Sequence, residues 1–188
     1  VLRGTMQPIR YPLLKIASDH KVPSVIIEKP IAMMGEDWRQ IRDLAEQTET
    51  KIAVNTQLHF HPQNLALKRD VAEGKIGEIK LIEASCRSTP VDQAPHTLQL
   101  ISSYIDNARP VKVMGQIAGG AQLYSDQPSP DNAVARIHYA NGVQASAAFG
   151  TEMAPEVLPN PVVYRHKRVR VFGSRGFIHW QFEGWEKF

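Results

Sequence analysis

Three short stretches of this sequence carry side chains suited to chemistry. Glu28-Lys29-Pro30 directly follows the apolar run Val22–Ile27. Open α/β sheets bind ligands outside the carboxyl ends of their strands, so a lysine there faces the crevice. The other reading is a solvated lysine that ends a strand before a proline. Asp92 and His96 stand four residues apart, with Pro95 between them. Proline is best tolerated in the first turn of a helix, which predicts that Asp92 lies near the N-cap. On such a helix the two side chains share a face. A carboxylate beside an imidazole fixes its tautomer and favours its protonated form, an arrangement suited to general-base work on an alcohol hydroxyl. Alternatively, Asp92 only caps the helix and His96 packs against a sheet. His59 and His61 alternate and could contribute to a metal site or a metal-dependent hydrolase, but the remaining histidines show no matching spacing, so no metal is assigned.

Other motifs read as structure. Gly74-Lys75-Ile76-Gly77 fits a nucleotide clamp in form, yet a helix cap followed by a turn explains it better. Cys86 has no catalytic partner in sequence and reads as a buried or half-buried thiol. No two glycines lie two apart, so G-x-G-x-x-G is absent, and so is the P-loop.

The elements that must carry these residues follow from pattern. Ile9, Leu13, Leu14 and Ile16 predict a helix from Pro8 to about His20. Val22–Ile27 predicts a strand buried on both faces, as in a parallel sheet. Asp37–Thr48 has helical spacing of apolar residues with acids at its start, and Lys51–Gln57 predicts a second strand. This alternation is that of a doubly wound α/β layer. After Pro62 the pattern changes. A helix over Gln63–Glu73 stops at Gly74, and Glu78–Cys86 is a strand before the helix Gln93–Ile105. Strands are then expected near Val111–Ala118, Ala133–Tyr139, Val143–Phe149, Val162–Phe172 and Phe177–Phe182. Asn141-Gly142 carries the signal of a type I′ hairpin. Gly119–Asp131 and Met153–Pro161 read as loops.

Composition bounds the rest. The chain has 188 residues, 43% apolar and 22% charged, enough for a core and unlike a disordered segment. One cysteine excludes an intramolecular disulfide. No apolar run approaches the roughly 18 residues of a membrane span, and no leader pattern is visible, so the expectation is cytoplasmic, with no membrane partner. The formal net charge is +3. Arg165, Lys167, Arg168, Arg170 and Arg175 lie in a stretch without acids between Glu156 and Glu183. Because Arg168 and Arg170 alternate with valines, they read as the solvated side of a strand, and no nucleic-acid partner is expected.

Taken in order, these segments resemble a known family. Glu28-Lys29-Pro30-Ile31-Ala32 is similar to the E-K-P-(L/I)-A motif of the glucose–fructose oxidoreductase / inositol dehydrogenase (Gfo/Idh/MocA) oxidoreductases. Phe60-His61-Pro62 resembles the aromatic-x-Pro after the last strand of the family's nucleotide domain, and Glu73–Ile79 its G-x-I-G-x-I turn into the second domain. Asp92–His96 resembles its D-x-x-x-H helix, and Gly173-Ser174-Arg175-Gly176 a later strand–turn–strand. The resemblance implies the C-terminal part of a Rossmann domain over residues 1–59. An α+β domain with a large, mostly antiparallel sheet would follow over 60–188. It further implies an NAD- or NADP-dependent enzyme that interconverts an alcohol and a ketone on a sugar, inositol or related polyol. Homodimers or homotetramers would form through the open sheet.

Residue by residue, the resemblance puts Lys29 beside the nicotinamide and the reacting oxygen, assisting proton transfer or stabilising negative charge. Glu28 and Pro30 would shape the cofactor edge. His96 would be the acid/base, Asp92 would orient it or bind a neighbouring hydroxyl, and Gln57 and His59 would contact substrate. Two departures stand out. His59 replaces a frequent arginine, and the segment from Cys86 to Asp92 is short. The chain begins at Val1 without a dinucleotide fingerprint and reads as incomplete. By itself it is expected to bind dinucleotide poorly and to be inactive. A non-catalytic, dinucleotide-sensing regulator of the same fold is the other functional reading.

Overall fold

A computed structural model describes residues 9–121, 128–155, 161–182 and 184–188. Pro8 and parts of both expected proline loops lie outside the described residues, as do Glu156 and Glu183. The chain divides into two compact units, Val1–Thr56 and Gln57–Phe188.

In the first unit, α1 (Arg10–Asp19), β1 (Ser24–Glu28), α2 (Gly35–Gln47) and β2 (Lys51–Asn55) alternate, and the strands pair in parallel from Ser24↔Lys51 to Glu28↔Asn55. Leu14 and Ala17 of α1 and Ile41 of α2 pack with Val25 and Ile27. Both helices therefore cover the same face of β1. Ile26 points to the other face and is 45% exposed. The expectation of a strand buried on both sides is corrected here: a parallel strand needs helices on both faces, and the described residues of this unit supply them on one.

The second unit begins with a 3-10 turn, Gln57–Phe60, so Gln57 does not extend β2 as expected. Then follow α3 (Pro62–Ala72), β3 (Ile79–Cys86), α4 (Pro90–Tyr104), β4 (Pro110–Ala118), β5 (Asn132–Tyr139), β6 (Gln144–Phe149), β7 (Lys167–Gly173), β8 (Phe177–Gln181) and β9 (Gly184–Lys187). The seven strands form one sheet in the order β4-β5-β6-β3-β7-β8-β9. Within this sheet, among the described residues, only β3 and β6 pair in parallel. The fold is thus α/β with a large, mostly antiparallel sheet. On one sheet face Ile82, Ala84 and Cys86 meet Ala145, Ala147, Val169, Val171 and Trp180, closed by Leu100, Ile101 and Tyr104 of α4. Cys86 is fully buried, and Thr97 Oγ1 donates to its Sγ at 3.7 Å.

Several local expectations change. β7 starts at Lys167 because Val163–Arg165 forms a 3-10 turn. Within β7, Val169 and Val171 are buried while Arg168 and Arg170 alternate with them, half-buried on the other face. Lys167, by contrast, is buried, its ammonium on the Tyr164 carbonyl and within 5.7 Å of the Phe182 ring centre. The β5–β6 hairpin is present, but its turn is not type I′. Gly142 has φ of 86° while Asn141 is not left-handed. Gly142 N–H donates to Tyr139 O at 3.0 Å, and Tyr139 N–H to Val143 O at 2.9 Å. That is a type I turn closed by a left-handed glycine, the next most common hairpin connection.

Two glycine motifs prove to be halves of one joint. α3 ends with Lys75 N–H on Asp70 O and Gly74 N–H on Val71 O, Gly74 having φ of 72°. This is the hydrogen-bond pattern of a Schellman cap. The next turn is held by the β7–β8 hairpin: Glu78 N–H donates to Ser174 Oγ, and Arg175 N–H to Ile76 O. A Cβ on Gly77 would stand 2.3 Å from Ser174 Oγ, and one on Gly173 2.1 Å from Ile76 O. Left-handed backbone at Gly74 and Gly77 and close backbone approach at Gly173 and Gly176 account for both motifs, and no nucleotide clamp is needed.

Candidate active site

The candidate residues fall in both units, and each half has its own geometry. In the first unit Glu28 ends β1, and Lys29 and Pro30 follow it at the carboxyl end of a parallel pair. Asn55, the register partner of Glu28 on β2, donates from Nδ2 to Glu28 Oε1 at 2.8 Å. Beyond Lys29 the chain is held by Arg10, the first residue of α1. Its Nη1 donates to the carbonyls of Pro30 and Ile31, the latter at 3.0 Å. Arg10 is only 4% exposed. Burial pulls its guanidinium below the usual arginine range, and the Glu28 charge partly restores it. A cleft of about 490 Å³, lined by Ser18, Val22, Pro23, Thr48 and Lys51 among others, lies at the amino ends of β1 and β2, the opposite ends from Lys29.

In the second unit α4 carries Asp92 and His96. The helix begins earlier than the sequence implied. Thr89 is its N-cap and Pro90 its first residue, so Asp92 lies at the end of the first turn and Pro95 inside the helix. The expectation that Pro95 marks the start is corrected: Pro90 already occupies the position where a missing N–H costs nothing, and Pro95 cannot donate to the Val91 carbonyl. Ser129 Oγ accepts from Val91 N–H at 3.2 Å and pins the helix start. Asp92 is half-buried, and its Oδ2 accepts from Gln93 Nε2 at 2.7 Å and from Ser88 Oγ at 3.4 Å. His96 is 4% exposed and lies on the buried stripe with Gln93 and Leu100. Asp92 and His96 thus occupy successive turns of one helix, where an acid near the N-terminus is favoured by the backbone dipoles.

Gln57 is exposed at the start of the 3-10 turn. His59, in the same turn, is half-buried between two elements. Gln99 Nε2 of α4 approaches its Nδ1 at 2.9 Å. Lys68 Nζ of α3 lies 3.1 Å from the same nitrogen and donates to the His59 carbonyl at 3.1 Å. Desolvation, then the nearby Lys68 charge, holds the imidazole below the usual histidine range. Burial likewise lowers the Lys68 ammonium. His61 turns instead toward Trp180, ring centres 6.1 Å apart. Among the described residues no three His, Cys, Asp or Glu side chains gather as metal ligands would. No helix among them is long and apolar enough to cross a membrane.

Sequence reasoning missed Arg10, Asn55, Lys68 and Gln99. Only Gln99 had a usable signal, standing three residues after His96 on the same helix.

No family model matches the chain. It is 26% identical over 159 residues to the uncharacterized oxidoreductase ORF334 of Rhizobium meliloti, covering 82% of this chain and 47% of that protein. It superposes on an oxidoreductase from Pseudomonas syringae with a TM-score of 0.76 at 19% identity, over 95% of this chain and 49% of the other. An inositol dehydrogenase homologue from Azotobacter vinelandii, solved with NADH and myo-inositol, gives 0.72 at 17% identity, over 98% of this chain and 54% of the other. The chain spans about half the length of these proteins. Its structural neighbours are oxidoreductases of the Gfo/Idh/MocA type, and the likeness shows a common fold.

Proposed function

We propose that the protein carrying this chain is an NAD(P)-dependent oxidoreductase that interconverts a secondary alcohol and a ketone on a sugar, inositol or related polyol. The observation that carries this reading is Lys29, held at the carboxyl end of a strand in a parallel pair, where α/β sheets receive their ligands. The inositol dehydrogenase homologue with NADH and myo-inositol, which shares the fold at 17% identity, supports it.

The residues present fit part of a dinucleotide. Glu28, Lys29 and Pro30 would border the nicotinamide end, but the chain holds no glycine-rich loop to receive the pyrophosphate. When bound, the cofactor supplies the hydride acceptor or donor. The chain's own residues do the rest. The His96 imidazole takes the hydroxyl proton during oxidation and returns it during reduction. Asp92 orients that imidazole or binds a neighbouring hydroxyl. The Lys29 ammonium lies against the reacting oxygen and stabilises its negative charge before the carbonyl forms. Burial of His96 keeps competing water from the proton transfer. His59 and Gln57 contact substrate hydroxyls, His59 as a neutral imidazole. A second copy of the chain would cover the sheet face opposite α4, forming a homodimer or homotetramer.

In the full-length protein, Lys29→Ala and His96→Ala should each depress the hydride-transfer rate, read from NADH absorbance in single turnover, with modest loss of cofactor binding. Near-normal turnover in both variants would falsify the assignment. Dinucleotide binding by the wild type without turnover of any polyol, with NAD or NADP, would favour the regulatory reading.

A further inference from the structure

A buried arginine at the first position of a helix is doubly unfavourable. Its charge loses water, and it faces the positive end of the helix dipole. Arg10 sits there at 4% exposure. A leucine would fill the space at less electrostatic cost, so the contacts made by the guanidinium must compensate. Two of those contacts fall at one place. Arg10 Nη1 reaches the carbonyls of Pro30 and Ile31, successive residues directly after Lys29. Residues 29–34 lie in no helix or strand, so no ladder fixes their backbone groups. On the other side of Lys29, Asn55 holds the Glu28 carboxylate at 2.8 Å. Lys29 is therefore bracketed by one side chain from α1 and one from β2. Both carbonyls are served by the one Nη1, whose two N–H bonds are fixed in the guanidinium plane, a geometry that a rotating lysine ammonium does not hold.

We propose that Arg10 is a positioning residue: it fixes the backbone after Lys29 so that the Lys29 ammonium is presented to the reacting oxygen in one orientation. This rests on the functional reading above, in which Lys29 touches the reacting atoms. A displacement of about 1 Å at a reacting group can cost on the order of 100-fold in rate.

The test is a double-mutant cycle in the full-length protein, using NAD⁺ and myo-inositol, or the fastest-oxidised member of a polyol panel if that pair is not turned over. Arg10→Met should lower kcat roughly 10- to 100-fold and leave both KM values within about twofold. In the Lys29→Met background the same substitution should have no further effect. Without cofactor or substrate, hydrogen exchange in peptides covering 28–34 should accelerate in Arg10→Met, while peptides of β2 keep their protection. If Arg10→Met is not recovered folded, Arg10→Lys, which keeps the charge but not the fork, is carried through the same cycle. An Arg10 effect of equal size in both backgrounds, or unchanged kcat and exchange in Arg10→Met beside a slowed Lys29→Met, overturns the positioning role. Near-normal turnover in Lys29→Met overturns the functional reading itself and the positioning role with it.

Discussion

His59 owes its character to its neighbours. Partial burial, and then Lys68 at 3.1 Å, disfavour a second proton on the ring. Its titration in the folded protein therefore lies below that of the unfolded chain, near 6.5. Between those two values the unfolded chain binds more protons, so stability rises with pH there and falls on acidification. The expected outcome is a His59 resonance that titrates below the usual histidine range by NMR, and moves up partway, not fully, in Lys68→Met. Full return to the ordinary value would mean that burial contributes nothing. Asp70 shows the opposite sign. Hydrogen bonds from Lys187 and Lys75 hold its carboxyl below the usual carboxylate range. Its stabilisation is present above the unfolded value of about 3.9 and is lost as pH falls through the lower folded one. Because Lys187 lies in β9, Asp70→Asn should speed exchange of the β9 amides at neutral pH, and unchanged protection would refute the link. The longest of these pairs is not legible from residue type: Asp70 and Lys187 stand 117 positions apart, and no periodicity reports such a contact.

Elements were more legible than contacts, and the misses have definite causes. The helix spacing alone puts the α4 start too late because two prolines compete for one favourable position, and Pro90 takes it. The tip of β5–β6 was legible as a hairpin from Asn141-Gly142, but not as a turn type, since that depends on where the strand ladder stops. Glycines are a further case in which identity alone is ambiguous. Gly142 has open space for a Cβ and an unfavourable φ, so Gly142→Ala should cost about 1–2 kcal/mol from backbone strain. Gly173 has no such φ, but a Cβ there would meet the Ile76 carbonyl at 2.1 Å, so Gly173→Ala should cost about 3 kcal/mol or more. Urea unfolding of the two variants would read the order, and equal midpoints would contradict it.

At the scale of the molecule, the second unit has a contiguous core from Leu58 to Trp180. Expressed alone, residues 57–188 should give a β-rich circular dichroism spectrum and one cooperative urea transition. A gradual, non-cooperative loss of signal would show that this core does not suffice. By itself the sequence determined the alternation of helices and strands, the order of the motifs, the lone thiol and the absence of a glycine-rich phosphate loop. These depend on neighbours within a few positions, where periodicity, caps and turn chemistry act. Only the tertiary structure decided that β3 runs between β6 and β7, that Ile26 faces away from both helices, and that Arg10 reaches past β1 to the carbonyls after Lys29. Such contacts join residues far apart in the chain, and they are chosen by which buried polar groups and apolar faces can be satisfied together.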